Sequence, residues 1–237
     1  QTSLFKETQA GQDHLLLTLN PPLTNKNKNS PDREIIFIQD ISGSMGGQPI
    51  RQSKIGLEMA IKRLKPQDKF NIVLFNDRYS SYSRTHVKAT AKERDKAIRY
   101  VRRLSAEKGT DMYPALSFSL NNFRSNKSVL KQLIFLTDGA VTQESRLFSL
   151  INRELKTARL FTIGIGSAPN SFFMTRAAEI GRGSHIHIGD MDEISNRMSE
   201  LFSKIENPAV TDLKLILPKG FRFVVEMHLV LQKLQVK

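Results

Sequence analysis

At 237 residues the chain can hold one α/β domain with a substantial core plus flanking pieces, and its 39% hydrophobic and 25% charged content is ordinary for a globular protein. No apolar run approaches the ~20 residues that a bilayer span needs, so no direct membrane insertion is expected, and the lack of cysteine excludes disulfides, thiolate catalysis and a cysteine zinc site. The net charge of +13 admits anionic partners, but carboxylates interleave the basic residues, as in Lys92-Glu93-Arg94-Asp95-Lys96, and no nucleic-acid module accompanies them, so a solvated face and no nucleic acid are expected.

Taken in order, the chain opens with Gln1 and a polar stretch lacking a signal peptide, which implies an excised or mature fragment. Residues 1–13 are expected to be loosely held. Leucine-rich 14–19 reads as a strand ended by Pro21-Pro22, and 24–32, rich in Asn, Lys, Ser and Pro, as a linker or exposed loop. Residues 33–40 then form the first core strand, a short apolar run of the kind buried on both faces of a parallel sheet.

That strand leads into Asp40-Ile41-Ser42-Gly43-Ser44-Met45-Gly46-Gly47. Asp-x-Ser-x-Ser directs one carboxylate and two hydroxyl oxygens towards one point, just past a strand end, where open α/β sheets bind ligands. These are hard donors, suited to Mg²⁺ or Mn²⁺ and poorly to zinc. Alone, the motif reads equally well as a Ser/Gly-rich turn capping the helix that follows.

The helix after it aligns Leu57, Ile61 and Leu64 and stops before Pro66. Residues 70–75 read as a strand, 76–83 as polar turns, and 86–89 as a short edge strand. Thr90-Ala91-Lys92-Glu93 is a capping box opening a helix that buries Ala97, Ile98, Val101 and Leu104; on it Arg99, Arg102 and Arg103 are the best candidates for a basic patch. Gly109-Thr110-Asp111 precedes a helix with Pro114 in its first turn and Leu116, Leu120 and Phe123 inward; Asp111 is read as a carboxylate favoured by the helix dipole. After a loop at 125–128, residues 132–137 form a second buried strand, ending in Thr137-Asp138-Gly139. Leu147, Leu150, Ile151 and Leu155 mark a helix, 159–166 a strand, and Asn170 caps a helix that ends at Gly181. A strand at 184–188 and a helix with Ile194, Met198, Leu201 and Ile205 inward complete the core. Strands alternating with helices predict an α/β, mostly parallel central sheet with helices on both faces. Beyond Pro208 the pattern changes to alternation, with Leu213, Leu215 and Leu217 on one face, and predicts half-buried β-structure.

Two further polar stretches, Gly109-Thr110-Asp111 at a helix start and Thr137-Asp138-Gly139 at a strand end, therefore join the first. The set Asp40, Ser42, Ser44, Thr110 and Asp138 resembles the metal-ion-dependent adhesion site of von Willebrand factor type A domains. The resemblance covers 33–207, and more closely it is to the inter-alpha-trypsin inhibitor heavy-chain-like subgroup, bacterial surface homologues included. That closer likeness rests on 37–45, Asp68-Lys69-Phe70-Asn71, 161–166 and Ile205-Glu206-Asn207-Pro208.

The resemblance implies a Rossmann-like domain at 33–207, between an N-terminal flank (1–32, one strand and a linker) and a C-terminal β flank (208–237). The two flanks are expected to pair in a small β-unit, because termini of inserted domains usually lie close together. It implies Mg²⁺ (Mn²⁺ or Ca²⁺ in its place) held directly by Ser42 and Ser44, by Thr110 in the ligand-bound state, and largely through water by Asp40 and Asp138. One coordination position is left for a carboxylate from a partner protein, in an extracytoplasmic setting, at the cell surface or in the periplasm. The alternative is the same fold with a structural metal and a basic surface that binds polyanions such as acidic polysaccharide.

An enzyme is not expected. A phosphatase with an aspartate nucleophile needs a second Asp where Ser42 stands, and neither a nucleophile elbow nor a phosphate loop occurs. His185 and His187 share a strand face, but without a third ligand they read as structural.

Overall fold

The computed structural model describes residues 2–9, 11–19, 32–123, 129–139, 141, 143–167 and 169–206. The chain divides into two compact units. In the first, Thr2–Gln9 (β1) and Gln12–Leu19 (β2) pair antiparallel, with Leu4 opposite Leu17 and Phe5 opposite Leu16. The expectation that residues before 14 are loosely held is therefore corrected. Residues 2–9 carry too few apolar positions to announce a strand, and ladder bonds to the leucine-rich strand supply the order that their side chains do not signal. The expected partner of that strand, the segment near 213–217, lies outside the described residues, as do residues 24–31 of the loop expected at 24–32 and the loop expected at 125–128.

The second unit is built on a sheet that, among the described residues, has seven strands. They are Arg33–Asp40 (β3), Lys69–Phe75 (β4), Tyr79–Ser81 (β5), Val87–Lys88 (β6), Leu130–Thr137 (β7), Arg159–Ile165 (β8) and His185–Ile188 (β9). The order is β5-β4-β3-β7-β8-β9, with β6 also on β4. The five core strands run parallel, and only the edge strands β5 and β6 are antiparallel. β5 falls where only polar turns are expected: Tyr79-Ser80-Ser81 has no apolar alternation, and it is the open edge of β4 that recruits it.

Helices Gln48–Lys62 (α1), Ala91–Arg102 (α2), Met112–Asn122 (α3), Glu144–Glu154 (α4), Ser171–Ile180 (α5) and Ile194–Glu206 (α6) cover both faces. All eight residues of β3 are buried. Ile35 and Phe37 point into the core formed with Leu57 and Ile61 of α1, Val101 of α2 and Met198 and Leu201 of α6. Ile36 and Ile38 point the other way, to Leu116 of α3, Leu147 and Ile151 of α4, and Phe173 and Met174 of α5. Period-2 alternation on a strand buried on both faces thus appears in sequence as an unbroken apolar run. The layered α/β architecture is the one expected.

At the amino end of β3, Arg33 is 4% exposed and Asp68 fully buried. Arg33 Nε donates to Asp68 Oδ1 at 3.1 Å and its Nη2 to Oδ2 at 2.5 Å, while the Lys65 backbone N–H donates to Oδ2 at 2.7 Å. This fork ties the β4 entry loop to the central strand. Removing one partner strands a buried charge, so Asp68→Ala is expected to lower unfolding free energy by roughly 3–5 kcal/mol in urea denaturation. Arg33→Met/Asp68→Leu together should cost clearly less than either single change, because both charges then leave the interior.

Candidate metal centre

β3 ends at Asp40, whose side chain has no solvent exposure. The chain then rises through a short 3₁₀ turn, Gly43–Met45, pinned by the buried Met45 before α1 begins. Asp40 Oδ1 accepts from the Ser42 backbone N–H at 2.8 Å, and Oδ2 accepts from the Thr137 hydroxyl at 2.5 Å. Thr137 Oγ1 in turn accepts from the Gly139 N–H at 2.9 Å. The Ser42 and Ser44 hydroxyls share a hydrogen bond at 3.1 Å. One carboxylate and two hydroxyls therefore meet at a single strand end, as the spacing predicts.

All these donors to Asp40 are neutral. Burial pushes its carboxyl up to about 6; the hydrogen bonds from Thr137 and Ser42 hold it down in part, and the nearby Asp138 adds a smaller upward push. A buried carboxylate so surrounded favours a cation. Among the described residues no three His, Asp or Glu side chains converge, so a cation here would rely on hydroxyls and two carboxylates. That all-oxygen set fits a hard divalent ion that keeps several waters.

Asp138 follows β7 directly and is half-buried. Its carbonyl accepts from the Asn170 N–H at 3.3 Å. Gly139 makes this approach feasible: its φ is +77°, and a Cβ there would come within 2.7 Å of the Asn170 nitrogen. Asn170 caps α5 through Phe173 N–H at 3.0 Å and donates to Glu144 Oε1 at 2.7 Å, so the starts of α4 and α5 are tied together beside the site.

Thr110 is exposed and arrives on the loop between α2 and α3. That loop is held against the ends of β3 and β4 by three bonds: Glu107 N–H to Ile41 O at 2.7 Å, Asn76 Nδ2 to Glu107 Oε2 at 2.8 Å, and Asp111 N–H to Asn76 O at 2.5 Å. Gly109, at φ +93°, passes so close to Asp77 that a Cβ would lie 2.5 Å from its side chain. Asp111 caps α3, accepting from the Tyr113 N–H at 3.2 Å, in keeping with the helix-terminal role expected of it.

The structure thus brings Asp40, Ser42 and Ser44 into one hydrogen-bonded chain, sets Asp138 next to it through Thr137, and delivers Thr110 to the same end of the sheet. Thr137, Asn76 and Glu107 escape the sequence reading. Thr137 had one signal, a hydroxyl closing an otherwise apolar strand before Asp138; Asn76 and Glu107 had none. His185 and His187 are each engaged elsewhere, the former with the Thr162 hydroxyl at 3.1 Å and the latter with Gly166 O at 2.7 Å. Burial lowers the His185 pKa.

The model of the von Willebrand factor type A domain family matches residues 33–185. A von Willebrand factor A domain-containing protein of Dictyostelium discoideum is 30% identical over 183 residues, 77% of this chain and 20% of the relative. Mouse inter alpha-trypsin inhibitor heavy chain 4 is 27% identical over 205 residues, 81% of this chain and 22% of that protein. The chain therefore spans about a fifth of these relatives. Among solved structures, a von Willebrand factor type A protein from Catenulispora acidiphila superposes with a TM-score of 0.64 at 24% identity, covering 74% of this chain and 42% of the other. The PilB minor pilin of Streptococcus sanguinis gives 0.64 at 11% identity, covering 77% and 63%. Both structures show likeness of fold.

An aspartate held near 6 when folded and near 3.8 when unfolded takes up protons on folding between those values. Its stabilising effect is present at low pH and lost as pH rises through about 6. In chelator, the parent protein is expected to gain about 1.4 kcal/mol per pH unit over Asp40→Asn as pH falls below 6. Thermal melts of both proteins between pH 8 and 5 check this; parallel curves would contradict it.

Proposed function

Because the chain belongs to the von Willebrand factor type A domain family, we propose that residues 33–207 form a protein-interaction module that captures an acidic side chain of a partner by way of a divalent cation. Domains of this family generally mediate protein interactions rather than catalysis. The observation that carries the finer reading is the fully buried Asp40 carboxylate, dressed only by neutral donors and aligned with the hydroxyls of Ser42 and Ser44.

Asp40, Ser42, Ser44, Thr110 and Asp138 would hold the ion, Mg²⁺ in the first instance. When bound, such an ion supplies an electrophilic centre for a carboxylate. With two carboxylates and three neutral hydroxyls, part of its charge stays uncompensated, which favours an anionic partner group. The chain's own part is orientation. Thr137 and Ser42 fix both oxygens of Asp40 before any ion arrives, so little reorganisation is needed. The exposed Thr110 and Ser44 leave the mouth of the site open to a partner.

The relatives whose names refer to inter-alpha-trypsin inhibitor heavy chains, and the pilin among the structural neighbours, support an extracytoplasmic setting at the cell surface or in the periplasm. Among the described residues no helix is long and apolar enough to cross a membrane.

Since the ligands come from three separate chain segments, Mg²⁺ should bind the folded state alone. At about a hundredfold excess over its Kd it is expected to add roughly 2.7 kcal/mol of stability. Asp40→Ala and Asp138→Ala should lose that increment while remaining folded. An equal Mg²⁺ increment in parent and Asp40→Ala, read by differential scanning fluorimetry, would remove the assignment.

Thr110→Ala should keep most of the Mg²⁺ increment yet weaken binding of an Asp-containing peptide about tenfold, and chelator should abolish that binding in the parent. Binding that ignores chelator and falls steeply with salt would instead favour a structural metal and a basic surface for polyanions.

A further inference from the structure

Beside the candidate centre lies a cleft of about 460 Å³, bounded by the ends of β3 and β4 and by the loop after α2. Three cations line it: Arg78, Arg103 and Lys108, with Ser80, Ser105 and Asn76 between them. Of the basic residues on α2, Arg102 is taken up by a bidentate pair with Glu58, both contacts at 2.9 Å. Arg103, one position on, turns into the cleft instead. Among the described residues neither Arg103 nor Lys108 has an ion-pair partner, and Arg78 has only a loose contact to Asp77 at 3.5 Å, largely in solvent.

This cleft adjoins the start of the candidate metal loop. Ile41, between Asp40 and Ser42, forms part of its wall. A Cβ on Gly43, between Ser42 and Ser44, would lie 3.6 Å from Glu107 O and 3.9 Å from Lys108 Cα. Lys108 is two residues from Thr110 on a loop bonded to both strand ends. A chain with one carboxylate at the centre therefore has a short, cation-lined path onward.

The geometry points to a partner segment with further acidic side chains beside the one at the centre, seated against Arg78, Arg103 and Lys108. This inference rests on the reading of Asp40 and its neighbours as a metal-dependent carboxylate site. A peptide fits better than a densely sulfated polysaccharide, because Asp77 and Glu107 stand among the three cations. Carboxylates spaced along a peptide can reach the cations while its backbone N–H groups meet those two acids; closely spaced sulfates would be repelled by them.

The test is an NMR titration of the whole chain with eight-residue Gly-Ser peptides carrying either one Asp or three, with Mg²⁺ and with chelator. Exposed ion pairs are each weak, so the two additional carboxylates, set against three cations, are expected together to make the three-Asp peptide bind about tenfold tighter. Arg103→Glu/Lys108→Glu changes two exposed positions; it should erase that gain, keep the affinity for the one-Asp peptide, and keep the Mg²⁺-induced rise in melting temperature. Equal binding of the two peptides, or a preference that survives the charge reversal, overturns the cleft assignment and leaves the metal reading standing. If the one-Asp peptide shows no Mg²⁺-dependent binding while the three-Asp peptide binds and is lost on charge reversal, the cleft stands and the metal reading falls. Heparin that binds more tightly than the three-Asp peptide, regardless of Mg²⁺ and with sensitivity to the same reversal, overturns the acidic peptide as the occupant.

Discussion

A carboxylate placed where water cannot reach it, at the carboxyl end of the central strand, is the constraint from which the rest of this site follows. Leaving Asp40 ionised and undressed there would cost several kcal/mol. The fold answers with the Thr137 hydroxyl on one oxygen and the Ser42 N–H on the other, both neutral and both fixed by neighbouring structure. Two donors reduce the cost without cancelling it, as the upward displacement of its pKa records. The residual preference for positive charge is what a divalent cation would satisfy.

Around that carboxylate the loops press closely against the sheet end. Gly109 and Gly139 adopt positive φ at points where a side chain would strike Asp77 or Asn170. Each lets a loop press against the sheet end and deliver its polar residue there, Thr110 in one case and Asp138 in the other. The cap at Asp111 starts α3 directly after Thr110, and Asn170, which caps α5, also donates to Glu144 at the start of α4. The end of the sheet that carries the candidate centre is built from backbone approach, and its opposite end from the buried Arg33–Asp68 fork.

The chain's high positive charge resolves into unlike parts once side chains have positions. Arg63 is paired with Glu206 and Arg102 with Glu58 across helices, and such residues offer little to a partner. Arg103 and Lys108 differ because the turn after α2 places them in a cleft walled in part by Ile41 of the candidate loop. Net charge is thus a poor guide to a binding surface, since pairing and placement set which cations are available.

What the amino-acid sequence determined was the part governed by local chemistry: buried parallel strands from unbroken apolar runs, helices from period and caps, and polar stretches at strand ends and a helix start from Asp-x-Ser-x-Ser, Thr137-Asp138-Gly139 and Gly109-Thr110-Asp111. These are legible because 2.0- and 3.6-residue periods and turn residues act over a few positions. Tertiary structure decided what depends on partners far along the chain. Residues 2–9 and 79–81 become strands only because β2 and β4 offer them ladders. Thr137 becomes a partner of Asp40 only because β7 lies beside β3, across a separation of 97 residues. Arg102 and Arg103 look alike in sequence, yet the position of Glu58 on α1 neutralises one and leaves the other facing the cleft. Hydrogen bonding and ion pairing act over ångströms in space, and no local pattern records which distant residues will meet.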